Sequence, residues 1–139
     1  MAVTATPIFP QTIKNTTVTI ANADAQAYKT AYTGGSNGSK IESWFVSSTD
    51  TSNRDITINF TISATNYQIA QISIPLSSGT ANNVAAVNIL QSSMLPNVCK
   101  DSNGNPYMYI ASGTTLTINA PVTITSGKTI TSVIQGGDY

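Results

Sequence analysis

Ile56, Ile58, Phe60 and Ile62 alternate with Thr57, Asn59, Thr61 and Ser63. A period of two puts apolar side chains on one side of a strand and hydroxyls and an amide on the other. Strand-like runs recur along the chain, punctuated by turn residues. They include TTVTIA at 16–21, QAYKTAYT at 26–33, KIESWFVS at 40–47, a run at 67–74, one at 107–110, one at 114–120, and a last strand holding Ile130, Val133 and Ile134. In the 40–47 run, strict alternation places Ile41, Ser43 and Phe45 on one face and Glu42, Trp44 and Val46 on the other. Apolar side chains on both faces indicate an inner strand or an outer face covered by a partner. In the 67–74 run, Ile69 is out of phase with Ile72 and Ile74, so a bulge near Ala70-Gln71 is expected.

Residues 81–94 interrupt the alternation. Val84, Val87, Leu90 or Gln91, and Met94 recur at three- and four-residue spacing behind Asn82 or Asn83, which are capable N-caps. This spacing predicts one short helix, with a strand through VAAVNIL as the rival reading. The fold expected is all-β: an antiparallel, jelly-roll-like β-sandwich of about eight strands at 8–12-residue spacing. Residues 1–11, with Pro7 and Pro10, form an extended N-terminal arm, and residues 12–139 form the sandwich domain. Ile8 and Phe9 on that arm are costly to leave in water, so the arm is expected to lie across the body or a neighbour.

Composition narrows the function. The 139 residues hold 21 Thr, 16 Ser and 13 Asn but no His, one Cys and one Glu, with six basic and six acidic residues. Catalysis near neutral pH usually recruits a proton carrier, a metal set or an activated nucleophile. Here the polar groups are almost all neutral, which points to binding or building rather than to an enzyme. Lys14, Lys29, Lys40, Arg54, Lys100 and Lys128 are scattered, so a basic stripe for nucleic acid is not expected. Cys99 alone makes no intramolecular disulfide. The N-terminal sequence shows neither a basic segment nor an apolar one of secretory type, and no run approaches membrane-spanning length, so a protein made in a cytoplasm is expected.

Each motif also has an ordinary reading. The loop Asp101-Ser-Asn103-Gly104-Asn105 offers oxygens to a hard cation but lacks the spacing of a calcium loop, so it is read as a polar turn, with no metal or cofactor expected. Asp50, Asp55 and Glu42 would need to meet in a cleft to hydrolyse a glycoside; each reads first as a turn or surface residue. Gly34-Gly35-Ser36-Asn37-Gly38 lacks the lysine and helix of a phosphate loop and is read as a turn with several positive φ angles. Trp44 and the tyrosines at 28, 32, 67, 107 and 109 could form an interface or sugar-binding patch, against the plainer reading that they edge the core.

Four stretches together resemble a family of small virion proteins of tailed bacteriophages, the capsid decoration or cement type. They are AYTGGSNGSKI at 31–41, LP followed by DSNGNP at 95–106, ASGTTLTI at 111–118, and the ending TSGKTI followed by Gly136-Gly137-Asp138-Tyr139. The likeness runs in order from about Ile20 to the C-terminus. It implies a β-sandwich, often a homotrimer, seated on the outside of the capsid lattice, with the major capsid protein as partner and no catalytic residues. The expectation is therefore a structural virion protein that stabilises the head. The candidate partner contacts are Ile8, Phe9, Gly34, Gly35, Asn37 and Trp44. The alternative is a receptor- or glycan-binding module of a phage tail or fibre, using Trp44 and the tyrosines.

Overall fold

A computed structural model describes residues 9–96 and 98–139, so Ile8 and most of the expected arm lie outside the described residues. Ten strands build two antiparallel sheets: β1 (Thr12–Ala21), β2 (Lys29–Thr33), β3 (Ser39–Ser48), β4 (Arg54–Ile62), β5 (Thr65–Ile74), β6 (Val87–Asn88), β7 (Cys99–Lys100), β8 (Pro106–Ile110), β9 (Thr114–Asn119) and β10 (Thr129–Asp138). One sheet runs β1-β10-β3-β8-β7 with β6 also paired to β3; the other runs β2-β9-β4-β5. The chain passes repeatedly from one sheet to the other, so most strand neighbours are distant in sequence.

Between the sheets lies a core rich in β-branched side chains, including Ile20, Ile41, Trp44, Val46, Ile56, Ile58, Ile74, Leu116, Ile118, Ile130 and Ile134. β-branched residues suit this pleated setting because their restricted χ1 costs little there. The alternation read at 56–62 places Ile56 and Ile58 in the core, as expected. The hairpin from β4 into β5 is tight. Only Ser63 and Ala64 connect the strands, both at positive φ (49° and 63°). The register of β4 against β5 shifts opposite Ile58/Asn59, which leaves Ile69 as the extra residue, one position before the expected bulge.

Three expectations are corrected. Residues 81–94 form no helix. Val87 and Asn88 pair with Val46 and Phe45 as the short strand β6, and turns continue from there. The Ile89 N–H donates to the Trp44 carbonyl at 2.9 Å and the Asn88 side chain accepts the Leu90 N–H at 3.1 Å, so the backbone is satisfied outside a helix. Among the described residues the sole helical turn is the 3-10 segment Asn22–Asp24. The second correction concerns β3: its register with β10 slips at Glu42, between Ile41 and Ser43. This bulge shifts the phase, so that Ile41 and Trp44 both point into the core and Phe45 points out. Third, Ile62, read on the apolar face of its strand, is exposed at the end of β4.

Trp44 is the largest core residue and is completely buried, its indole N–H donating to Ser132 Oγ at 2.8 Å. It is thereby withdrawn from the set of partner contacts.

Candidate functional site

The outer faces of the two sheets differ in chemistry. On the four-stranded sheet, Thr57 is opposite Asn119, Asn59 opposite Thr117 and Thr61 opposite Thr115. Thr57 hydrogen-bonds Asn119, and Thr61 Oγ1 lies 2.9 Å from Thr117 Oγ1 and 2.5 Å from Asn66 Oδ1. These hydroxyls and amides largely satisfy one another across the strands.

The outer face of the six-stranded sheet is aromatic and uneven. Val133 on β10 is opposite Phe45 on β3, and Phe45 is opposite Asn88 on β6. Phe45 remains 44% exposed. Tyr107 and Tyr109 of β8 meet edge-on at 5.1 Å between ring centres, and Tyr139 lies 6.3 Å from Tyr109. The Lys40 ammonium sits 5.0 Å from the centre of the Tyr107 ring and bonds Glu42 Oε1 at 2.8 Å. That bond to Glu42 raises the Lys40 pKa despite partial burial. Because of the bulge, Glu42 and Ser43 both face outward although they are adjacent, where a regular strand would send them to opposite sides.

Two cavities of about 450 Å³ flank these two residues. The first lies between β3, β6 and the turn at 101–105, walled by Phe45, Asn88, Asp101, Asn105 and Tyr107. The second lies toward β1 and is walled by Pro10, Ile13, Asn15, Gln135 and the glycines Gly136 and Gly137. At this side of the sheet β1 is an edge strand, paired among the described residues only with β10. Ile13 is 88% exposed and Phe9, just before the strand, is 72% exposed.

The glycine-rich turn proves to be part of a corner knot. A Cβ at Gly34 would come within 2.4 Å of the Ala111 carbonyl oxygen, and one at Gly35 within 2.8 Å of the Asp138 side chain. Of the three glycines in this turn only Gly38 has positive φ, so Gly34 and Gly35 are required by lack of space rather than by backbone angle. Ser39 Oγ donates to Asp138 Oδ1 at 2.5 Å, Tyr32 donates its hydroxyl to the same oxygen at 3.3 Å, and Lys14 bonds Oδ2 at 3.4 Å. Burial pushes the Tyr32 hydroxyl up to about 12. Asn37 Nδ2 donates to the Tyr139 carbonyl at 3.3 Å, and the Tyr139 N–H donates to the Gly38 carbonyl. The 31–41, 111–118 and 136–139 segments therefore meet in space. Internal packing accounts for Gly34 and Gly35, while Asn37 stays exposed.

The carboxylates named from the sequence are not brought together. Asp50 is buried, accepting from Arg54 Nε (2.9 Å), the Thr125 N–H (3.0 Å) and hydroxyl (2.8 Å), and the Ser52 N–H (3.0 Å). Burial alone would raise its pKa, but these donors outweigh burial and hold the carboxyl well below the usual range. Asp55 bonds Gln71 on the four-stranded sheet, on the opposite side of the sandwich from Glu42. Asp101 spends both oxygens on Asn103 and Asn105 within its own turn. Among the described residues no three His, Cys, Asp or Glu side chains gather as metal ligands, and no helix is long and apolar enough to cross a membrane. Sequence reading missed Ile13 and Tyr139, and it did not place Phe45 outside; β1 begins earlier and β10 ends later than periodicity indicates.

No family model matches the chain, and no curated protein matches it. Among solved structures, a chain described as "Cyanophage Pam1 capsid asymmetric unit" aligns over 100% of this chain and 93% of its own length, at 10% identity and a TM-score of 0.45. A likeness that remote carries no argument about role.

Proposed function

We propose that this chain is a structural virion protein that binds the outside of a phage capsid lattice through its β1 edge and stabilises the head. The observation that carries the proposal is the exposure of Phe9 and Ile13 at the start of β1, which among the described residues pairs as a strand with β10 on one side only. Large apolar side chains at an unpaired edge are a standing invitation to another protein chain, by apolar contact and by strand pairing. The family resemblance in the sequence supplies the partner class, the major capsid protein, and the homotrimeric state. In this reading the protein is made in the host cytoplasm and resides in the virion.

The proposal includes no catalytic step. All six carboxylates bond to neighbouring groups: Asp24 to Lys29, Glu42 to Lys40, Asp50 to Arg54 and Thr125, Asp55 to Gln71, Asp101 to Asn105, and Asp138 to Ser39. Groups held in this way reinforce turns and strand ends.

Deletion of residues 1–9 together with Ile13→Asp tests the reading. It spares the Gln11 N–H, which bonds the Asp138 carbonyl at 2.8 Å. Occupancy on purified particles should fall to background while the thermal melt of the isolated domain stays near that of the parent. Full occupancy of the variant on capsids would refute it.

A further inference from the structure

The cavity beside the β3 bulge carries unspent binding chemistry. Its floor is the bulged segment Glu42-Ser43, and its walls offer the ring of Tyr107 and the exposed ring of Phe45. Tyr107 meets Tyr109 edge-on and has the Lys40 ammonium near its ring, so its ring is held before any ligand arrives. Glu42 bonds Lys40 through Oε1 and the Asn88 side chain accepts through Oδ1, which among the described residues leaves Oε2, the Asn88 amide N–H groups and the Ser43 hydroxyl to a ligand.

We propose that this cavity binds a neutral oligosaccharide, stacked on Tyr107 and Phe45 and hydrogen-bonded by Glu42, Ser43 and Asn88. Its volume of about 450 Å³ falls within the range of small-ligand sites. The competing ligand classes fit less well. Phosphate, sulfate and nucleic acid would face the Glu42 and Asp101 carboxylates, and Lys40, the cation that lines the cavity, is already paired with Glu42. A wholly apolar ligand would strip water from the carboxylate, amide and hydroxyl groups and give nothing back. A peptide adding as a strand needs an open edge, whereas β3 is flanked by β10 on one side and by β8 and β6 on the other. A sugar ring presents C–H faces to aromatic rings and hydroxyls to mixed donors and acceptors, which is the set on offer here.

β10 lies between β1 and β3, and although Glu42 and Ser43 also border the cavity beside Ile13, Tyr107 lines the first cavity and not the second, so Tyr107→Ala separates the two proposals. The test is a printed array of neutral and acidic oligosaccharides probed with the full chain, followed by calorimetric titration of the neutral oligosaccharides that bind. Tyr107→Ala and Glu42→Gln should each weaken binding about tenfold or more, the size of one lost stacking or charged hydrogen-bond contact. Tyr67→Ala, on the opposite sheet, should leave binding unchanged. Glu42 is exposed, so Glu42→Gln keeps the test valid if Tyr107→Ala folds poorly. Failure of the parent chain to bind any neutral oligosaccharide overturns the site, as does binding confined to acidic sugars or untouched by both variants. Loss of capsid occupancy in a folded Tyr107→Ala also overturns it, because the face would then be a protein interface.

Discussion

The indole of Trp44 and the hydroxyl of Ser132, 88 positions apart, form a hydrogen bond of 2.8 Å in the interior of the sandwich. It ties β3 to β10 and disposes of the one polar atom on the largest core side chain. Ser132→Ala leaves the indole N–H buried without an acceptor, which costs about 1–3 kcal/mol. Urea unfolding should show a lower midpoint with an unchanged slope. An unaltered midpoint would mean that the bond contributes nothing.

Gly34 and Gly104 separate two reasons for a glycine. A Cβ at Gly34 meets a backbone oxygen, whereas Gly104 has positive φ (82°) and open space around it. Gly104→Ala should cost about 1–2 kcal/mol through its backbone angle. Gly34→Ala should cost more, about 2–3 kcal/mol, since the Ala111 carbonyl must move. Thermal melts of the two variants give the order, and equal losses would contradict the packing account.

The β4–β5 hairpin holds Ser63 and Ala64 in backbone angles that side chains resist. Asn-Gly is the pair best suited to a two-residue turn with both φ angles positive. Ser63→Asn with Ala64→Gly should therefore raise stability by about 1 kcal/mol, seen as a higher melting temperature. A drop in melting temperature would show that the turn is not strained.

Asp50 links stability to pH. Its folded pKa lies below the unfolded value of 3.8, so its contribution is complete well above that value and is lost as pH falls through it toward the folded pKa. Asp138 and Asp24 shift in the same direction and add to this acid limb. Asp50→Asn leaves the Arg54 guanidinium without its partner and should cost about 3–5 kcal/mol at neutral pH. Its stability should then fall less steeply than that of the parent between pH 5 and 2. Parallel pH profiles for the two proteins would remove Asp50 from the acid limb.

The sequence by itself determined the strands and the class of fold. Period-two alternation at 56–62 and short turn-bounded runs elsewhere point to two packed sheets, because a strand's apolar face must be covered and the pattern offers no long helix to cover it. Tertiary structure decided what the pattern leaves open. The phase of β3 depends on a bulge that exists only because β10 pairs on both sides of Glu42, and that bulge sends Trp44 inward and Phe45 outward. The spacing of Val84, Val87 and Leu90 fits a helix locally, yet pairing of Val87 and Asn88 with β3 wins. Gly34 and Gly35 read as turn residues, but the close approach of strands far apart in sequence requires them. The cavity beside Tyr107 arises from β3, β6 and the 101–105 turn meeting across long separations, so no local window of sequence contains it.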